Sequence, residues 1–338
     1  MSSLLRQFDG LPEGFLDAQP EQLAELLGGP SLIHLSGRRS EPLFVCVLSH
    51  GNETTGFFAV QELLKAYQSE LLPRAMSLFV GNVEAAASGL RRLAGQPDYN
   101  RVWPGSDQED SPERRMMAEV YECMRERKPF ASVDLHNNTG MNPHYGCINR
   151  VENQFMQLAS LFSRTLVYFI TPVGVQSLAF AEICPSVTVE CGKVGQDAGV
   201  AHAKEFLQAC LRLSELPDHP VAAHDMDLYH TVAIVKIPRA YSFSFGDEVA
   251  DICFVDDLDR INFRDISAGT TLAKLNGVDS LPLTVTNENG LDVAGQYFKM
   301  EEGLLQTAKN FMPSMFTLDE RVIRQDCLGY VMERYPLT

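Results

Sequence analysis

No apolar run in the 338-residue chain approaches the length of a membrane span, and its opening, MSSLLRQFDG, lacks the long apolar core of a secretory signal. A membrane-spanning protein is therefore not expected; a cytoplasmic one is. Positive charge is scarce, with 28 Lys and Arg against 44 Asp and Glu and a net charge of −16. Such a surface repels polyanions, which argues against nucleic acid and anionic membranes as partners. The eight cysteines include no Cys-x-x-Cys pair, so neither a disulfide framework nor a cysteine-rich zinc knuckle is indicated. Internal repeats and low-complexity tracts are missing too. What is present, with 45% hydrophobic residues, is an ordinary globular composition.

The length exceeds what one compact core usually holds, so a main domain and a smaller one are expected. The runs LFVCVL (43–48), SLFVG (77–81), ASVDL (131–135) and SVTVE (186–190) are short and rich in Val, Leu and Phe. They alternate with helix-like stretches at about 54–70, 112–127, 152–164 and 197–214, a pattern of buried parallel strands in an α/β layer. Ser111-Pro112 supplies a cap and a first-turn proline for the second helix. After Leu216 the segment LPDHPVAAHD breaks the alternation. VAIVKI, ICFV, TLAKLNG and LPLTVTN then read as strands and turns, with helical period returning only at about 301–311. The expected division is an α/β catalytic domain over 1–217 and a β-rich domain over 218–338.

His50 and Glu53 lie in LSHGNETTG, where a strand should end and a helix begin, so both can face one metal ion from the turn. His136, in SVDLHNNTG, ends another strand. Two histidines and one carboxylate are the usual ligands of a hydrolytic zinc that keeps a fourth position open for water. Asp134 stands as an alternative, either binding metal in place of His136 or orienting a ligand from behind. Glu190 ends a third strand, in SVTVECG, and is free to take a proton from water and pass it to a leaving amine. In α/β sheets ligands bind outside the carboxyl ends of the strands, so these residues converge on one rim.

The fourth strand leads into a loop carrying Arg91, Arg92, Asn100 and Arg101. Guanidinium and amide donors suit capture of a carboxylate, and an Arg aimed at a scissile carbonyl would stabilise an oxyanion. The cluster would attract a small anionic substrate that the acidic surface repels. Singly, each residue has a plainer reading: a strand-end His is more often a hydrogen-bonded structural residue, and paired arginines are more often a solvated loop face. His34, His144, His202, His219, His224 and His230 are read in that plainer way. Compatible residues at four strand ends are what the plainer readings leave unexplained.

In that order, HGNET, the Asn-Arg of DYNR, DLHN and VECGK resemble the succinylglutamate desuccinylase/aspartoacylase family, relatives of the zinc carboxypeptidases. The resemblance covers roughly residues 40–215 and extends weakly through DRINFRDISAGTTLAKLNG. It implies a zinc-carboxypeptidase-like mixed sheet flanked by helices, with a smaller, mostly β C-terminal domain. It implies one zinc ion per chain on His50, Glu53 and His136, Glu190 as general base, and Asn100 with Arg101 on the carboxylate of the released amino acid. An Arg just upstream polarises the carbonyl in this family. Here that is Arg92, with Arg91 as the alternative because GQPDY differs from the more usual loop. Asn137, beside His136 in DLHN, joins the substrate-binding set. The family's β domain commonly narrows the mouth of the site, which brings in Tyr297 as a selectivity residue. One departure stands out: members acting on acyl-aspartate or acyl-glutamate usually place another Arg before the catalytic Glu, and VGVQSLAFAEICPSVTVE has none.

The expected activity is that of a zinc-dependent amidohydrolase of linear amides, cleaving an N-acyl amino acid into an amino acid and a small carboxylic acid. A zinc carboxypeptidase acting on a short peptide or cell-wall fragment would use the same Asn-Arg grip. A catalytically silent metabolite-binding protein could dispense with Glu190. Homo-oligomerisation is left open.

Overall fold

The computed structural model describes residues 4–246 and 248–337. They fall into two compact units, one running to Asn137 and including His144–Asp227, the other comprising Asn138–Pro143 and the chain from Leu228 onward.

In the first unit eight strands form a mixed sheet: β1 (Arg6–Asp9), β2 (Ser31–Leu35), β3 (Leu43–Val47), β4 (Met76–Val80), β5 (Ala131–His136), β6 (Tyr145–Ile148), β7 (Thr165–Tyr168) and β8 (Ser186–Glu190). Their order is β1-β2-β4-β3-β5-β8-β6-β7. The central four, β4, β3, β5 and β8, run parallel and are buried at every residue, which is why they read as nearly unbroken apolar runs. Flanking them, β2 opposes β4 and β6 opposes β8.

Four helices of eight residues or more accompany this sheet among the described residues: α1 (Thr55–Ala66), α2 (Pro112–Arg127), α3 (Asn153–Ser160) and α4 (Asp197–Arg212). α1, α3 and α4 stop short of the expected 70, 164 and 214. α2 begins at the expected Ser111-Pro112 pair, the Ser111 side chain accepting from Arg114 N. Its Met116, Met117, Val120 and Met124 recur at helical spacing and join a core with Phe44, Phe79, Trp103 and Phe180. Phe44 and Phe180 stack at 4.4 Å, and Trp103 meets Phe44, Phe79 and Phe180 edge-on.

Apart from Asn138–Pro143, the second unit runs from Leu228, beyond the expected boundary at 217/218. The intervening residues are tied into the first unit: Gln157 Nε2 donates to His219 O at 2.9 Å, and Asp227 N to Arg164 O at 2.8 Å. In the second unit β9 (Asp227–Lys236) pairs antiparallel with β13 (Thr284–Asn287) and β17 (Gly329–Arg334), and β17 with β16 (Met312–Ser314). A separate five-stranded sheet has the order β10 (Phe243–Phe245), β11 (Ile252–Phe254), β12 (Thr271–Leu275), β15 (Leu304–Thr307), β14 (Phe298–Glu301). Val235, Phe254, Leu258, Phe298, Leu305 and Phe316 belong to one core of the second unit. The helical stretch expected at about 301–311 is instead the β14–β15 hairpin. Glu302 and Gly303 both take positive φ, 51° and 73°, the two-residue turn whose twist suits a hairpin. The unit's helices, Ala294–Tyr297 and Glu320–Gln325, are short.

No helix among the described residues is long and apolar enough to cross a membrane.

Candidate active site

The carboxyl ends of β3, β5 and β8 assemble the site, and the chain turns sharply after β3 and after β8. Leu48, just past β3, takes φ of 56°, a left-handed conformation that costs a residue with a Cβ about 1–2 kcal/mol. Gly81 N and Asn82 N bond the Val47 and Leu48 carbonyls at 3.0 and 2.6 Å and hold that turn. The chain then passes so close to the helical turn at 83–86 that a Cβ on Gly51 would lie 2.2 Å from Ala86 N, so HGNET requires its glycine. Glu53 N donates to His50 O at 3.0 Å, closing the turn that brings the two side chains together.

His50 Nδ1 lies 2.8 Å from Glu53 Oε1, and His136 Nδ1 lies 2.8 Å from Glu53 Oε2. All three residues are buried, and their donor atoms lie within 4.8 Å of one another, close enough to hold one metal ion. Behind each imidazole stands a carboxylate. Asp98 Oδ1 is 3.0 Å from His50 Nε2, and Asp134 Oδ2 is 2.8 Å from His136 Nε2. A carboxylate on Nε2 fixes the tautomer that leaves Nδ1 bare for a metal, the arrangement that metal-ligating histidines usually show. Asp134 thus orients His136 rather than replacing it. Asp98 was not singled out in the sequence, although it stands two residues ahead of Asn100 in DYNR, the only visible signal of its role.

The electrostatics follow from this packing. Burial opposes a charge on His136, yet Asp134 and Glu53 outweigh it and hold the ring well above the usual histidine range. Burial and Arg91 oppose a charge on His50, but Glu53 and Asp98 still raise it. Burial likewise works against Glu53, but the two histidines hold its carboxyl well below the usual range. The cluster therefore stores positive charge on imidazoles that a divalent ion would displace. Asp134→Asn or Asp98→Asn should each weaken metal binding about 10–100-fold, as read by competition with a chromophoric chelator. Unchanged affinity in both variants would exclude the orienting role.

Glu190 is paired in register with His136 across β5 and β8. It is buried, and its Oε2 has no hydrogen-bond partner. Burial pushes its carboxyl up to about 7. A carboxyl in that range gives and takes a proton near neutral pH, which suits a general base.

The loop residues divide. Arg91 reaches the cluster, with Nη1 3.3 Å from Glu53 Oε1 and Nη2 3.1 Å from Asp98 Oδ2. Arg92 Nη1 donates instead to Gln96 O at 2.7 Å. Asn100 is buried, its Oδ1 accepting from Gln176 N at 2.9 Å and its Nδ2 lying 3.2 Å from His136 Nε2. Arg101 Nη1 donates to Asn100 O at 2.8 Å. The Asn137 side chain is bonded to Thr55 and to Gly192 O. Tyr297 belongs to the second unit, where its hydroxyl donates to Glu333 Oε1 at 3.0 Å. Among the remaining histidines, His34 pairs with Ser77 Oγ at 2.9 Å and His230 with Glu288 at 2.7 Å, as structural residues do.

The fold has counterparts among solved structures. The solved structure of a succinylglutamate desuccinylase from Chromobacterium violaceum is similar with a TM-score of 0.56 at 19% identity, over 89% of this chain and 86% of that one. Murine aminoacylase 3 is similar with a TM-score of 0.57 at 16% identity, over 89% and 97%. A succinylglutamate desuccinylase/aspartoacylase from Rhodobacter sphaeroides gives 0.55 at 14%, over 89% and 88%. At these identities the likeness speaks for the fold. A sequence search of curated proteins finds no match. Residues 42–216, more than half of the chain and the span that carries every metal-cluster residue, match the succinylglutamate desuccinylase/aspartoacylase catalytic domain, so the chain belongs to that family.

Proposed function

We propose that the protein is a zinc-dependent amidohydrolase that cleaves an N-acyl amino acid into the free amino acid and a small carboxylic acid. The observation that carries this reading is the register pairing of Glu190, a buried carboxyl near neutral pKa, with His136 beside His50 and Glu53. Zinc held by His50, Glu53 and His136 would supply Lewis acidity, polarising the acyl carbonyl and lowering the pKa of water. The chain's own groups do the rest. Glu190 takes the proton from the attacking water and returns it to the departing amine nitrogen. Arg91, the guanidinium seated at the cluster, steadies charge on the carbonyl oxygen in preference to Arg92, whose own guanidinium is held by Gln96 O. Arg101, next to Asn100, receives the substrate carboxylate.

The charge balance narrows the substrate. Glu53, Asp98, Asp134 and Glu190 already crowd this rim, and from 165 to 192 the chain contains no Lys or Arg. That stretch passes directly under the Asn100-Arg101 turn: Trp103 N donates to Gly174 O at 3.0 Å, and a Cβ on Gly174 would lie 2.3 Å from Arg101 O. A second substrate carboxylate left unpaired there would cost about 1–3 kcal/mol. Zinc-loaded protein should therefore release amino acid from N-acetyl or N-formyl derivatives of uncharged amino acids about tenfold or more faster, in kcat/KM, than from N-acetyl-aspartate or N-succinyl-glutamate. Chelation should abolish the activity and zinc should restore it. Silence across the panel with zinc bound would refute the deacylase reading, and turnover of dipeptides alone would move it to a carboxypeptidase.

A further inference from the structure

We infer that Asn137 is a positioning residue, one amide that locks the turn bearing His50 and Glu53 to the strand end bearing Glu190. This rests on the proposed roles of those residues and assigns Asn137 a task other than touching substrate.

Four hydrogen bonds carry the inference. Asn137 Oδ1 accepts from Thr55 N at 3.2 Å, and Nδ2 donates to Thr55 Oγ1 at 2.9 Å and to Gly192 O at 2.8 Å. Its backbone N donates to Glu53 Oε2 at 3.1 Å. Thr55 opens α1 directly after the metal turn, Gly192 lies two residues past Glu190, and Asn137 follows His136. One residue thus joins the three strand ends that carry His50 with Glu53, His136, and Glu190.

The need for it is visible in the neighbours. The N-cap residue of α1, Thr54, makes no side-chain cap bond, so Asn137 Oδ1 caps that helix from another strand. Gly192 takes φ of +77° where the chain leaves β8, and the amide bond to its carbonyl pins that turn. An amide has two N–H donors, and both are spent, so Asn137 has none left for a substrate carboxylate. At 4% exposure the side chain also offers almost no surface to bind one.

Losing the amide would leave the ligands and the base chemically intact but free to shift against each other, and a misplacement of about 1 Å costs on the order of 10²-fold in rate. Asn137→Ala should therefore lower kcat about 10–100-fold, with KM and zinc affinity within about threefold of the parent. Thr55→Val, which removes only the hydroxyl acceptor, should move the same parameters in the same direction by less, and keeps the question answerable should Asn137→Ala fold poorly. A rise in KM with kcat preserved would overturn the inference in favour of substrate binding. A loss of thermal stability with kcat per folded molecule unchanged would overturn it in favour of a purely structural role. Hydrogen exchange of the metal-free protein supplies a readout independent of turnover: in either variant the segments 52–58 and 187–193 should lose protection together. Protection unchanged in either segment would sink the inference even if the deacylase reading holds. Joint loss in a protein that hydrolyses nothing would sustain the lock and reject only that reading.

Discussion

Glu190→Gln is expected to lower turnover by on the order of 10²–10⁴-fold, to leave zinc affinity within about threefold, and to make the metal-free protein more stable at pH 8. The first effect follows from removing the carboxyl that the β8 end sets beside His136. The last follows from where that group is buried. In the folded protein the carboxyl holds its proton up to about 7, against 4.5 as the ordinary value. Between those values the unfolded chain releases a proton that the folded chain retains, so native stability declines as pH rises through that window, and the full penalty is present above it. The shift corresponds to about 3 kcal/mol. A glutamine carries no such penalty, so the gain should be nil near pH 4, grow through pH 5–7 and level off above. Urea denaturation of chelator-treated protein at pH 4.5 and 8 measures it. Equal midpoints for parent and variant at pH 8 would show that Glu190 is not held in a desolvated state, and the general-base role would lose its physical ground.

Glu53→Gln should act in the opposite sense on the same rim. Glu53 touches His50 Nδ1, His136 Nδ1 and Arg91 and accepts from Asn137 N, so its negative charge organises the cluster. Removing one anionic donor of three from a zinc site worth about 10–16 kcal/mol should cost about 3–4 kcal/mol, or some hundredfold to thousandfold in affinity. The metal-free protein should also lose stability, because two buried imidazoles and Arg91 lose their shared counter-charge. The sign of the pH dependence is reversed relative to Glu190. The Glu53 carboxyl is held well below its ordinary value, so its contribution is present above that value and fades as pH falls through the depressed one. The destabilisation by Glu53→Gln should therefore be largest near neutrality and shrink in acid. Isothermal titration with zinc and denaturation at pH 7 and 3 test the two halves. Zinc affinity within threefold of the parent would remove Glu53 from the ligand set.

The two carboxylates show what a sequence can and cannot convey. Both stand at strand ends and both are legible as chemistry-bearing. Nothing in HGNET or VECGK tells that one is held ionised by two imidazoles while the other is held near neutrality by burial. That difference arises from the register of β5 on β8, which sets Glu190 beside His136 with one oxygen unpartnered. The loop from Arg91 to Arg101 shows the same limit. Adjacent arginines are interchangeable as letters, and only the turn fixed by Gly51 N on Arg91 O, at 3.0 Å, decides that Arg91 faces the cluster.

The four central strands, the helix at Pro112–Arg127 and the pairing of His50 with Glu53 at one turn were determined by the sequence itself, because unbroken apolar runs, a Ser-Pro cap and a His-x-x-Glu turn are local signals. The tertiary structure alone decided that Asp98 and Asp134 stand behind the histidines, that the amide of Asn137 is spent on Thr55 and Gly192, and that 301–311 folds as a hairpin. The first two depend on contacts between residues 48 to 82 positions apart or on the face a strand presents, which no local pattern encodes. The third turned on a two-residue Glu-Gly turn whose strand pairing outweighed a weak helical period.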